Sequence, residues 1–286
     1  MERVTLSALM LIACAASAQA SAGEARWYGQ IANDVAFGTD RWFTSGVRIA
    51  REKDGVEWGL VQDIYTPDAK NWHPGKDDRA PTARLLASGA LHRRVPDLWQ
   101  TIEFAIGVQG PAALGHQTTS AVHHFVPAPH VDWTRQPGGR LDAQVALTRS
   151  QPVALDFVKV HYGATLGTVT TFAHAGFELR AGDTTMSSPF LRFAPTPPFS
   201  TGSAHAWSAY AGASERAIGR DQLISRNYDP LGPDLKYRRT ASRLAAGVAW
   251  VPRWGTLAID LVQDAKEFDV QTAPQRFGSI TIHVAF

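Results

Sequence analysis

Along much of the chain, apolar and polar residues alternate with a period of two, the spacing that puts successive side chains on opposite faces of a β-strand. From Trp99 to Gln109, Ile102, Phe104, Ile106 and Val108 fall on one face, with Thr101, Glu103, Ala105, Gly107 and Gln109 on the other. A carboxylate is thereby expected on the inner face. Thr171 to Arg180 sets Ala173, Ala175, Phe177 and Leu179 against His174, Gly176, Glu178 and Arg180. Arg243 to Trp250 and Thr256 to Val262 repeat the pattern, and Ser279 to Phe286 puts Ile280, Ile282, Val284 and Phe286 opposite Ser279, Thr281, His283 and Ala285. The Pro-rich stretches from Pro189 to Pro198 and from Pro230 to Pro233 read as loops, because proline cannot donate to a strand ladder.

A soluble sandwich or lipocalin-like barrel also buries one face of each strand. Three features favour a membrane barrel instead. Arg3 precedes an apolar run from Val4 to Ala16, and Ala18-Gln19-Ala20 supplies a small-x-small cleavage site, so residues 1–20 read as a signal peptide and 21–286 as a single barrel domain. Leu11-Ile12-Ala13-Cys14 is the alternative, a lipobox ending on Cys14. The chain closes an alternating strand on an aromatic, and many of its Trp residues (Trp27, Trp42, Trp99, Trp250, Trp254) fall near predicted strand ends, where aromatic girdles lie. No apolar run reaches the roughly 18 residues of a spanning helix, whereas barrel strands need only about 9–11. At about 22 residues per strand with its share of turn and loop, roughly 12 strands are expected. The predicted fold is all-β: a transmembrane antiparallel up-and-down β-barrel of about 12 strands in the bacterial outer membrane, too narrow for an open channel.

Composition removes other classes. With 44% hydrophobic residues, 24 Gly and 17 Pro, the chain is not collagen-like, coiled-coil or disordered. A net charge of +2 is too balanced for a nucleic-acid binder. The single Cys lies in the export signal, so the exported chain has no disulfide, thiolate nucleophile or zinc–thiolate site.

Several polar clusters are not explained by alternation. In order they are Asn33-Asp34; Thr39-Asp40-Arg41-Trp42-Phe43-Thr44-Ser45-Gly46; Tyr65-Thr66-Pro67; Asp77-Asp78-Arg79; Gly110-Pro111-Ala112-Ala113-Leu114-Gly115, followed by His123; Val131-Asp132-Trp133; and Leu166-Gly167 onward to Arg180. Their chemistry suits ester hydrolysis by water. An imidazole such as His123 titrates near neutrality and serves as base. Asn33 and Asp34 offer the hard oxygen ligands that Ca²⁺ takes, and such an ion neutralises an oxyanion without a serine. Arg79 could contact that oxyanion or a lipid phosphate, and the Thr44 hydroxyl could orient the ester or join the metal. Local alternatives exist: Asn-Asp pairs favour turns, Arg79 could be a solvated loop charge, and His123 and His124, if extended, point to opposite faces. Trp133 reads as an interface anchor, and Glu103, Glu178 and Arg180 as a polar network filling the barrel.

The ordered set, from Asn33 to Arg180 with a weaker tail to Phe286, resembles the outer-membrane lipid A 3′-O-deacylase family. The pattern departs from that family at Ala80-Pro81, where the proline is displaced, at Thr119 in place of Gln, and at Thr168 in place of Asn. The resemblance implies a twelve-stranded barrel and a Ca²⁺-dependent carboxylic ester hydrolase that removes an acyloxyacyl chain from lipid A. It implies Asn33 and Asp34 at the metal, His123 eight residues after Gly115 as base, and Arg79 at the basic position. Lipopolysaccharide and outer-membrane lipids are the expected partners, with no nucleic acid and a monomeric barrel. Two competing readings are a phospholipase using Ser208 near His205, whose three-residue spacing sets them on opposite strand faces, and a non-enzymatic structural or adhesin barrel.

Overall fold

The computed structural model describes residues 25–34, 37, 39, 41–68, 78–95, 98–125, 131–153, 155–182, 206–225 and 235–285. The signal peptide, Cys14, both Pro-rich stretches, His205 and the terminal Phe286 lie outside them. Twelve strands run in chain order: β1 (Arg26–Asn33), β2 (Trp42–Lys53), β3 (Val56–Thr66), β4 (Thr82–Val95), β5 (Leu98–Gln109), β6 (Arg140–Val153), β7 (Leu155–Gly167), β8 (Thr170–Gly182), β9 (Trp207–Asp221), β10 (Thr240–Trp250), β11 (Gly255–Asp264) and β12 (Gln275–Ala285). Among the described residues, one α-helix, α1 (Gly115–Phe125), lies between β5 and β6, flanked by short 3-10 turns at Pro111–Ala113 and Trp133–Arg135. Each strand pairs antiparallel with its sequence neighbours, and β1 pairs with β12 to close the barrel. Both the all-β class and the strand number are as the sequence predicts.

The alternation sorts the two faces as expected. On β5, Thr101, Glu103, Ala105 and Gln109 are buried inside while Ile102, Phe104 and Ile106 face outward. The outward set continues with Ile49, Leu60, Val145, Phe177, Leu179, Leu244, Val248, Ile259 and Leu261, a continuous apolar wall of the kind that meets lipid. Trp27, Trp58, Trp207 and Trp250 are exposed at one end of it, and Trp207 sits directly opposite Trp250 in the β9–β10 register. Trp42 departs from the girdle expectation. It is buried inside the opposite end, at 2% exposure, because its indole is consumed by a contact described below.

Inward-facing charges fill the lumen and neutralise one another. Arg48 donates to Glu57 at 2.6 Å and lies 3.6 Å from Glu103, Arg84 donates to Asp142 at 2.6 Å, and Arg243 grips Asp264 with two bonds of 2.7 Å. Arg180 lies 3.1 Å from Glu178. Burying any of these ions singly would cost several kcal/mol, so the pairing is what makes a polar lumen tolerable.

Loop length distinguishes the ends. At the tryptophan end the connections are a two-residue turn at Asp54-Gly55, both with positive φ, residues 96–97, residue 154, residues 251–254 and the longer segment 183–206. The Asp-Gly pair supplies the left-handed conformation that a tight hairpin requires. The other end carries 34–41, 67–81, 110–139, 168–169, 222–239 and 265–274. Outer-membrane barrels keep short turns in the periplasm and long loops outside, which makes this second end extracellular.

Two buried, aromatic-rich clusters of described residues cross the extracellular mouth. Phe43, Tyr65 and Phe277 meet in its centre, with ring centroids 5.6 Å apart for Phe43–Tyr65 and 4.7 Å for Phe43–Phe277. Ala32, Val169, Leu223, Ala245 and Val262 complete one buried cluster drawn from opposite walls of the barrel. Trp42, Ile224, Leu235 and Phe268 form a second beside it. Below this plug the lumen keeps a cavity of about 100 Å³, lined by residues including Arg48, Asp63, Arg84, Glu103 and Arg243.

Candidate active site

Asn33, Asp34, Thr44 and Arg79 lie at the mouth-side ends of β1 and β2 and in the β3–β4 loop, and His123 lies apart from them on α1. Asn33 ends β1, directly opposite Ser45 on β2, and Asp34 follows at 1% exposure. Asp34 closes its own loop. Its carbonyl accepts from the Phe37 amide at 3.0 Å and from the Thr39 hydroxyl at 3.2 Å, while its Oδ2 accepts from the Arg41 amide at 2.7 Å. The turn role that an Asx residue fills locally is therefore present.

Thr44 occupies a bulge in β2, because the register passes from Phe43 opposite Tyr65 to Ser45 opposite Ile64. Bulges re-aim a side chain, and here Thr44 is turned to share a 2.5 Å hydrogen bond with the Thr66 hydroxyl. Gln275, the first residue of β12, donates to the Phe43 carbonyl at 2.8 Å and so fastens the far side of the barrel seam to this segment.

Arg79 is not a solvated loop charge. It is 1% exposed, its guanidinium carbon lies 4.4 Å over the Tyr65 ring, and Nη2 donates to the Leu223 carbonyl at 3.2 Å. Its Nε and Nη1 have no hydrogen-bond partner among the described residues. Asp78, its neighbour, holds the loop by three accepted bonds: from the Arg79 amide at 2.8 Å, the Asp68 amide at 2.8 Å and the Trp42 indole at 3.2 Å. Burial nevertheless pushes the Asp78 carboxyl above the usual carboxylate range. Asp34 and Arg79 are thus linked through the Arg41–Trp42 segment, whose backbone binds one carboxylate and whose indole binds the other.

His123 lies on a helix, not on a strand. Gly115 is buried where α1 begins, and a side chain there would collide with the Ala83 Cβ at 2.5 Å and the Trp133 ring at 2.8 Å. The least exposed positions of α1 are Gly115, Thr118, Thr119 and His123, one stripe at helical spacing. His124 is exposed and makes an edge contact with Phe125. The two histidines are therefore still separated, though by the turn of a helix instead of by strand alternation. His123 stands about 12 Å along the axis from Gly115 and makes no hydrogen bond with Asn33, Asp34, Thr44 or Arg79. Trp133, predicted as a membrane anchor, is half-buried and stacks on His116, with centroids 6.0 Å apart.

The oxygen donors present suit a hard cation: an Asn amide, an Asp carboxylate and a Thr hydroxyl on adjoining strand ends. Among the described residues no three His, Cys, Asp or Glu side chains converge, so carbonyls and water would have to complete such a shell. Ser208, of the phospholipase reading, is buried at the start of β9, at the opposite end of the barrel from this cluster.

Sequence reasoning marked Tyr65, Thr66 and Asp78 within motifs but gave them no part, and it missed Leu223 and Gln275 altogether. The Pro after Thr66 and the paired Asp77-Asp78 were the available signals; a lone Leu in a loop or a lone Gln at the start of a strand carries none.

A closed twelve-stranded barrel with an apolar outer wall and a polar cluster at its plugged mouth defines an outer-membrane β-barrel protein. The chain belongs to the family described as outer membrane protein LpxR, whose sequence model matches residues 4–286. Among solved structures, LpxR from Salmonella typhimurium is 18% identical, with a TM-score of 0.78, covering 91% of this chain and 100% of that one. The translocator domain of the autotransporter NalP from Neisseria meningitidis is 10% identical, covering 93% and 90% of the two chains, at a TM-score of 0.45. No curated protein matches.

Proposed function

We propose that this protein is a Ca²⁺-dependent esterase of the outer membrane that hydrolyses the 3′-linked acyloxyacyl chain of lipid A. Membership of the LpxR family supports a lipid A-modifying barrel. The observation that carries the finer reading is the pair of loops that Arg41-Trp42 joins at the extracellular mouth: Asp34 accepts the Arg41 amide, Asp78 accepts the Trp42 indole, and its neighbour Arg79 is buried over the Tyr65 ring.

In this reading His123 draws a proton from a water onto an imidazole nitrogen and the resulting hydroxide attacks the ester carbonyl. Asn33 and Asp34 would hold the Ca²⁺, whose charge would stabilise a developing oxyanion. Arg79, held in a dry site by Tyr65 and Leu223, directs its remaining N–H groups at the same developing charge; a buried guanidinium suits a reacting oxygen better than a headgroup phosphate at the rim. Thr44 orients the ester through its hydroxyl, and the proton held by His123 passes to the departing alkoxide.

Mass spectrometry of lipid A incubated with the purified protein tests this. Loss of one acyloxyacyl unit with Ca²⁺, absent with a chelator and absent with His123→Ala, is the expected result. An unchanged spectrum from folded protein in Ca²⁺ would overturn it.

A further inference from the structure

At the extracellular end of β9 the pairing with β8 slips. Thr171 stands opposite Arg220 while Phe172 stands opposite Ile218, so Gly219 is an extra residue. Such an insertion reverses the alternation beyond it. Ile218 is buried on the lumen side, and without the bulge Arg220 would share that face. With it, Arg220 comes opposite Thr171, in line with the outward-facing Ala173, Ala175, Phe177 and Leu179. The bulge has a second effect: the Gly219 carbonyl accepts from the Tyr237 hydroxyl at 2.8 Å and from Arg239 Nη1 at 3.3 Å. Arg239 also donates to the Tyr237 oxygen at 3.0 Å and lies 5.1 Å over its ring.

Two exposed guanidinium groups are thus organised around one irregularity. Arg220 spends a single bond, from Nη1 to the Thr168 carbonyl at 3.3 Å, and every hydrogen bond of Arg239 leaves from Nη1. Their remaining N–H groups face solvent. Arg238 and Lys236 add exposed positive charge beside them. Among the described residues, the exposed acids here are Asp269, 3.8 Å from Arg238, and Glu215, which accepts the Ser242 hydroxyl. Among the described residues, Arg220, Lys236, Arg238 and Arg239 give this part of the rim an excess of basic side chains at the height of the long loops, directly above the apolar wall.

We propose that Arg220 and Arg239, set by the Gly219 bulge and Tyr237, bind a phosphate of lipid A standing against the outer wall of β8–β10. Arg matches phosphate with paired N–H donors, a basic cluster at a membrane surface attracts anionic headgroups, and the apolar strands beneath take the acyl chains. This site rests on the outer-membrane location of the barrel and not on the esterase reading.

The test is native mass spectrometry of the full protein in a zwitterionic detergent, titrated with bis-phosphorylated lipid A and with its dephosphorylated form. The wild type is expected to prefer the phosphorylated form at least about tenfold, as two charge-assisted contacts allow. Arg220→Gln/Arg239→Gln should lose that preference, with the heat-dependent gel mobility of a folded barrel unchanged, whereas Asp34→Asn, at the candidate active site, should keep it. Retention of the preference in the double variant overturns the proposal. So does its loss in Asp34→Asn alone, which would put the bound lipid at the active site, or full displacement of lipid A by inorganic phosphate.

Discussion

The indole N–H of Trp42 donates to Asp78 Oδ1 at 3.2 Å and so ties the start of β2 to the end of the β3–β4 loop. Trp42 has φ of 61°, a left-handed conformation costing a non-glycine residue about 1–3 kcal/mol. Asp78, an edge contact with Phe268 and the Arg41 guanidinium 4.6 Å above the ring hold it there. Trp42→Phe with Asp78→Asn, taken as a double-mutant cycle in urea denaturation of the detergent-folded barrel, should give a coupling of about 1–3 kcal/mol. Additive effects would mean that the bond contributes nothing to the mouth.

The separation of the two histidines on α1 yields a kinetic contrast. His123→Ala should lower lipid A deacylation by at least about 100-fold, whereas His124→Ala, on the exposed side, should stay within about twofold of wild type. Equal losses, read from initial rates of product formation, would remove His123 from the role of base.

Asp34 combines a turn with a metal role, and substitution can separate them. Asp34→Asn keeps an acceptor for the Arg41 amide but removes the charge, so the barrel should unfold at the wild-type urea concentration while the Ca²⁺ needed for half-maximal activity rises at least about tenfold. An unchanged Ca²⁺ requirement would argue that the ion, if required, binds elsewhere.

The aromatic plug makes an electrical prediction. Phe277 is fully buried against Phe43, and its truncation to Ala should cost about 3–5 kcal/mol. In a planar bilayer the wild type should carry no resolvable current, and Phe277→Ala should flicker open. Steady conductance by the wild type would show that the mouth is not sealed.

Strand pairing was legible because each strand has one face in lipid and one in a polar lumen, so β5 could be sorted residue by residue from alternation alone. Trp42 was misplaced among the girdles for a related reason: sequence locates a Trp at a strand end but not which face a positive φ and a neighbouring carboxylate select. Helix α1 was illegible. Its sequence, GHQTTSAVHHF, is rich in Thr, Ser and His, carries no apolar stripe, and is held by the fit of Gly115 against Ala83 and Trp133. Asp34 and Arg79 could be nominated from motif order. Their connection through Trp42 could not, since it joins segments that only the closed barrel brings together.

A lumen filled with ion pairs and corked by aromatic rings also bears on traffic across the cell envelope. If the bilayer measurement finds no current, a copy inserted in the membrane adds no leak, and abundance is then not limited by loss of the permeability barrier. In a barrel so filled, a molecule reaches the mouth by moving sideways through the leaflet or from the medium above, with the aromatic rings of Phe43, Tyr65 and Phe277 standing between it and the lumen.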